Sequence, residues 1–290
     1  EEAKNSIPML ADALFQMGMK GEATNTYKRM FAAGGTYTPA QYQAAAEKLL
    51  DAGEAKLAVE ACDCIMAAKN GKAYLPKAML LRTKALLADK QAEAAYKQIT
   101  ELLEKYGNTT VAVDANHALL EVIGAQILNT KTFEERNELI GKAKKAVTFL
   151  SAQAARNAGD NAVLADAETV RLNLAVADVA RQAYEAEKKA KSERVITAIG
   201  SALNAYRSAM FAGGTPVTEP AVAPNVQKAY KGYIELTRER ADMATDNAEK
   251  LDFLRDVVEL GNEYLAKFPE GTYKTDVVNA VSLAKIELGE

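Results

Sequence analysis

Tryptophan is absent from this 290-residue chain, histidine occurs once and cysteine twice. A single imidazole, His117, leaves little room for catalysis, because a Ser-His-Asp or Cys-His system has to be built through it. Gly-x-Ser-x-Gly elbows, phosphate loops, zinc helix motifs and calcium loops are also missing. Aromatics make up only 7 % of the residues, and no alternating Val/Ile/Thr runs mark strands. Nor does any apolar run approach the ~18 residues that a membrane-spanning helix needs. The net charge is −3, from 36 basic and 39 acidic residues. The basic excess that neutralises nucleic-acid phosphates is therefore lacking. These absences point away from an enzyme, a nucleic-acid binder and a membrane span, and no metal or cofactor is expected.

Cys62 and Cys64 sit two apart, and on a helix they point about 200° from each other. They cannot readily bridge; Cys62 reads as a small core residue and Cys64 as a half-exposed one. Their usage leaves the redox compartment open. The chain opens Glu-Glu-Ala-Lys without Met or a signal segment, which reads as a trimmed or mature N-terminus.

What is present is Ala- and Leu-rich helix, the best propensity available. The expected class is all-α. A first hairpin starts near Ser6-Ile7-Pro8, with Met9, Leu10, Ala13, Leu14 and Met17 as its apolar stripe at three-and-four spacing. It turns at Met19 to Ala23 and stops at Gly34-Gly35. The second opens at Thr38-Pro39-Ala40-Gln41, a capping box with Pro at the first helical position. It turns around Gly53 and stops near Asn70-Gly71. The third begins at Tyr74-Leu75-Pro76, turns at Lys90 and ends at Tyr106-Gly107. Aligning Gly21, Gly53 and Lys90 gives spacings of 32 and 37 residues.

Those spacings bracket the roughly 34-residue period of the tetratricopeptide repeat. Individual positions extend the resemblance. Tyr42, Ala46, Leu49, Ala58, Cys62 and Ile65 occupy the family's large/small pattern in the second unit, and Met79, Thr83, Leu86, Ala95, Ile99 and Leu102 in the third. The first unit offers Leu10, Leu14, Met17, Thr26 and Met30. The family's Trp-Leu-Gly opening and terminal Pro are missing, and Leu14 and Thr26 replace small residues. The chain is similar to that family over Ile7 to Tyr106. The resemblance implies a right-handed superhelical array of antiparallel helix hairpins, a TPR-like α-solenoid.

Beyond Tyr106 come helices at Val111 to Leu128, from a capping box at Thr132-Phe133-Glu134-Glu135 to about Asn157, and from a cap at Asp160. The stripe of the last is Val163, Ala167, Val170, Leu174, Ala177, Arg181 and Tyr184. Another helix runs from Ser192 to Phe211. The segments Tyr27-Lys-Arg-Met-Phe-Ala-Ala-Gly-Gly-Thr and Tyr206-Arg-Ser-Ala-Met-Phe-Ala-Gly-Gly-Thr echo each other, which reads either as the record of a duplication or, the favoured reading, as one solution to a helix C-terminus. Three prolines between Thr215 and Pro224 mark a linker. The expected organisation is a repeat array over 1–212, a loop at 213–224, and C-terminal helices over 225–290 stacked on the same solenoid, with Asp246 capping one of them. The junction Glu263 to Tyr273 is similar to the inter-repeat turns of bacterial envelope lipoproteins that help assemble outer membranes.

A single hairpin cannot bury its stripe, so neighbours stack into a continuous core. In the tetratricopeptide family the first helices then line a groove for peptides or partner helices. Carried onto this chain, that groove takes Ala11, Phe15 and Met19 from the first unit. The second unit gives Gln43, Glu47, Leu50 and Asp51, and the third Lys77, Leu80, Lys84 and Leu87. The lining is mixed and lacks the basic cluster that captures a terminal carboxylate. The function this implies is a non-enzymatic scaffold or adaptor whose partner is another protein or peptide. Two alternatives stay open. One is a structural part of a cell-envelope or surface assembly, which would place the chain in the periplasm or envelope rather than the cytoplasm. The other is a helical small-molecule-binding or enzymatic domain with a cleft between the repeat half and the C-terminal helices. Oligomeric state is open.

Overall fold

Helix propensity is nearly uniform along the chain, so caps and turns decide where each helix begins and ends. The structure, a computed structural model, describes residues 2–32, 37–159 and 161–290, with side chains from Ser6 onward. Among them thirteen α-helices and one 3-10 turn are found, and no strand. The helices are α1 (Glu2–Gln16), α2 (Lys20–Ala32), α3 (Pro39–Asp51), α4 (Ala55–Ala67), α5 (Leu75–Ala88), α6 (Ala92–Tyr106) and α7 (Ala112–Ile127). There follow α8 (Phe133–Ala158), α9 (Ala162–Lys189), α10 (Val195–Met210), α11 (Ala223–Met243), α12 (Asn247–Lys267) and α13 (Lys274–Leu288). The chain is all-α, and each helix packs mainly on its neighbours in sequence, as in a helical-repeat array.

Both expected capping boxes form. Thr38 and Thr132 each accept from the N–H three residues on, while Gln41 and Glu135 reach back to the cap N–H. Asp246 accepts from the Glu249 N–H at 3.1 Å. The expected stop at Gly34-Gly35 and the expected cap at Asp160 lie outside the described residues; Asn161 is the N-cap of α9.

The helices gather into two compact units, Glu1–Asn129 and Thr130–Glu290. In the first, hairpins α1/α2, α3/α4 and α5/α6 lead to α7, and α1, α3, α5 and α7 lie side by side in a row. In the second, α8 packs on α9, hairpins α9/α10 and α11/α12 follow, and α9, α11 and α13 form the row. The loop at 213–224, expected as a linker, falls inside the second unit. Asp166 of α9 holds it, accepting from the N–H groups of Gly214 and Thr215 at 3.0 and 2.7 Å. The Thr215 hydroxyl also donates to that carboxylate, the main cause holding the Asp166 carboxyl below its usual range.

Four helix-to-helix turns share one hydrogen-bond pattern. Gly18, Gly53, Lys90 and Lys191 take positive φ, at 77°, 83°, 62° and 52°. After each, an N–H reaches five residues back: Met19 to Leu14, Glu54 to Leu49, Gln91 to Leu86 and Ser192 to Glu187. This is the Schellman closure, which satisfies the last carbonyls of a helix. It corrects the expected alignment, because Gly21 lies inside α2 and Gly18 is the equivalent of Gly53 and Lys90. The spacings become 35 and 37.

The aligned turns expose one substitution of consequence. Leu49 and Leu86 are buried at the position where the second unit has Glu187. That carboxylate is 3 % exposed and pairs with Arg136 of α8, itself buried and also donating to the Thr130 carbonyl. Removing one partner leaves a buried charge uncompensated and costs about 3–5 kcal/mol. Urea unfolding should therefore find Arg136→Met and Glu187→Leu each strongly destabilised, and the double variant less so than either.

A second expectation concerns acid. A carboxyl with a depressed folded pKa stabilises above its unfolded value, about 3.9 for Asp, and loses that contribution as pH falls through the folded value. Exchange protection of the Thr215 amide should be full at neutral pH, fall in acid below that point, and be lost at neutral pH in Asp166→Asn.

Candidate protein-docking faces

The row of first helices is where the groove was expected, and polar pairs lace it. Tyr27 of α2 is buried and its hydroxyl donates to Asp12 of α1 at 2.7 Å; Lys48 of α3 pairs with the same carboxylate at 2.5 Å. The second unit repeats this. Tyr206 of α10 donates to Asp178 of α9 at 3.0 Å, and Lys228 of α11 pairs with Asp178 at 2.8 Å. Burial, then the neighbouring carboxylate, pushes both phenols above their ordinary range. The two tyrosines open the two echoing segments. Their likeness thus extends past the helix end to a shared pin joining a hairpin to the next first helix.

The second unit continues the lacing. Arg181 pairs with Glu235 at 2.9 Å and Lys188 with Glu239 across α9 and α11. Lys231 pairs with Asp276 at 2.8 Å and Arg238 with Glu287 across α11 and α13.

In the first unit the expected groove residues divide. Gln43 donates to Glu47 at 3.3 Å, and Glu47 meets Lys77 at 3.8 Å, so three of them form one half-exposed chain. Phe15, Leu50 and Leu87 are half-buried, Leu50 against the core. Asp51 and Lys84 are exposed, and Met19 is 37 % exposed. Leu80 is a correction. At 1 % exposure it has no surface to offer, because α5 is covered by α3, α4, α6 and α7.

A larger correction falls on α1. The helix begins at Glu2, so Pro8 lies within it rather than at its start. Its buried positions include Ala11 at 0 %, expected in the groove. Of the stripe expected in the core, Met9, Leu10 and Met17 face outward instead, 74 %, 48 % and 71 % exposed, while Leu14 is half-buried. The inward side carries a second apolar stripe, Pro8 and Ala11 buried with Ile7, Leu14 and Phe15 half-buried, and Asp12 beside it is pinned to Tyr27 and Lys48. At 100° per residue, Met9, Leu10, Ala13, Gln16 and Met17 fall within about 120°, an exposed stretch without a charge from Met9 to Met17.

The structure places the cysteines and the histidine on helices α4 and α7. Cys62 is buried and its thiol pushed up to about 12 by burial; Cys64 is half-buried and also raised. Neither has the depressed pKa of a reactive thiol. His117 is half-buried on α7. Among the described residues no three His, Cys, Asp or Glu are placed to hold a metal, and no helix is long and apolar enough to cross a membrane.

No protein-family model matches the chain, and no curated protein matches its sequence. Among solved structures it is similar to a circular tandem repeat protein described as having novel repeat topology and enhanced subunit contact surfaces. The identity is 15 % and the TM-score 0.32, over 99 % of this chain and 58 % of that one. The chain thus spans little more than half that protein's length.

The pins predict stability effects. Tyr27→Phe and Tyr206→Phe should each cost about 1.5–3 kcal/mol, the range for a hydrogen bond to a charged acceptor. Gly232 of α11 lies where a Cβ would meet the Tyr206 ring at 2.5 Å. Gly232→Ala should lose about 1–3 kcal/mol through overpacking. Chemical denaturation of each variant checks both.

Proposed function

We propose that the chain is a non-enzymatic, tetratricopeptide-like scaffold that docks another protein. The observation that carries this reading is the uncharged outer stretch of α1 from Met9 to Met17. Contiguous exposed apolar surface marks interaction sites on soluble proteins, and methionine suits such surfaces because it repacks against varied partners. Beside it runs the row of α1, α3 and α5, whose Glu47–Lys77 pair and half-buried Leu87 offer polar steps with apolar ground between. Two kinds of contact are thus available, an apolar anchor on α1 and a mixed groove along the row.

The non-enzymatic part of the proposal rests on the same residues. His117 sits on a helix between Asn116 and Ala118, and both cysteine thiols are raised by burial.

Affinity capture with three forms of the full chain tests the reading. Met9→Glu/Met17→Glu changes exposed positions on α1, and Lys84→Glu/Leu87→Glu changes the row. A partner held by the wild type and lost from one variant, with thermal unfolding unchanged, assigns the docking face. A capture profile identical in all three forms overturns the proposal.

A further inference from the structure

We propose that a cleft within the second unit binds a small amphipathic organic carboxylate. The cleft, of about 460 Å³, opens between α8 and α10 with α9 beneath. Its volume lies in the ~300–1,000 Å³ range of small-molecule sites. Thr169, Asn173 and Val176 line it from α9. At 100° per residue they lie on the side of α9 away from Asp178, so the cleft is separate from the ion-paired row.

Its chemistry follows from what the walls present. Val147, Val176 and Ala205 are buried and supply apolar ground. Above them, Thr148 and Ser208 donate to carbonyls four residues back, the Lys144 and Asn204 oxygens, at 3.0 and 2.9 Å. That is how a hydroxyl in a helix usually satisfies itself. Ser151, on the same wall, does not. Its Oγ is buried, lines the cleft and has no hydrogen-bond partner within the chain. A buried hydroxyl left unpaired costs the folded state free energy, and a ligand acceptor recovers it. Asn173 spends one amide hydrogen on the Thr169 carbonyl at 2.9 Å, leaving the rest of its amide for a ligand.

Charge selects the ligand. Lys144 is the one ionisable group in the lining, and no acid pairs with it among the described residues. A single ammonium beside hydroxyl and amide donors favours an anion. A phosphate calls for several cations or a cluster of backbone N–H groups, such as a helix N-terminus, and the lining lies in helix interiors. A monoanionic carboxylate with an apolar tail satisfies the ammonium, the Ser151 hydroxyl and the apolar ground together.

Saturation-transfer NMR on the full chain tests this with octanoate, octanol and inorganic phosphate as probes. Octanoate should bind saturably, and octanol about tenfold or more weakly for want of charge. Lys144→Glu and Ser208→Phe alter exposed positions and should each weaken octanoate by about tenfold or more, with unchanged thermal unfolding. The proposal is overturned by no saturable octanoate signal at millimolar concentration, by octanol binding equally, by phosphate displacing octanoate, or by either variant binding like the wild type.

Discussion

A buried tyrosine ring brings apolar area into the core and a hydroxyl that must find an acceptor. For Tyr27 in the first unit and Tyr206 in the second, that demand is met at the seam between helices. Tyr27 and Tyr206 lie fully buried, and each hydroxyl reaches a carboxylate on the first helix of its own hairpin. The carboxylate then holds a lysine from the following first helix. One side chain thus fixes the angle of a hairpin and the register of the next. Tyr230 and Tyr264 extend the scheme, donating to Glu263 and Gln227 across the α11/α12 seam. Hydrophobic burial alone would hold these helices together without choosing how far each slides or turns, because apolar contacts are non-directional.

Helix α1 shows a pin beside an apolar stripe. Two apolar arcs lie on this helix, and the one turned inward carries Ile7, Pro8, Ala11, Leu14 and Phe15, with Asp12 next to it held by Tyr27 and Lys48. Met9, Leu10 and Met17 occupy the other arc and face solvent. Glu187 shows the same pairing of burial with a polar partner. Once a turn has fixed its backbone, a charge can occupy a leucine position provided a buried partner such as Arg136 arrives from α8.

Much of the fold was legible because its signals are local. Thr38, Thr132 and Asp246 announced helix starts through chemistry completed within three residues. The turns at Gly53 and Lys90 were legible for the same reason. Gly18 was passed over for Gly21 since both are glycines near one helix end, and only the left-handed φ separates them. The division of units was not legible. Proline in the 213–224 loop carries a linker's signature, yet Asp166, far earlier in the chain, ties that loop down. Asn129 and Thr130, where the units part, carry neither proline nor glycine.

The candidate faces were less legible than the fold, for a physical reason. A surface is defined by what fails to cover it, and coverage is set by helices distant in sequence. Leu80 and Leu87 are seven apart, nearly the same face of one helix, yet the first is buried by neighbours and the second half open. Lys144, Ser151, Asn173 and Ser208 read in sequence as ordinary helix-surface residues. Only when α8, α9 and α10 assemble do they converge on one cleft, with Ser151 as its unpaired hydroxyl. The echo beginning at Tyr27 and Tyr206 could have revealed more. A buried tyrosine repeated before the same helix end calls for an acceptor on the paired helix, and Asp12 and Asp178 are the acidic residues that supply it.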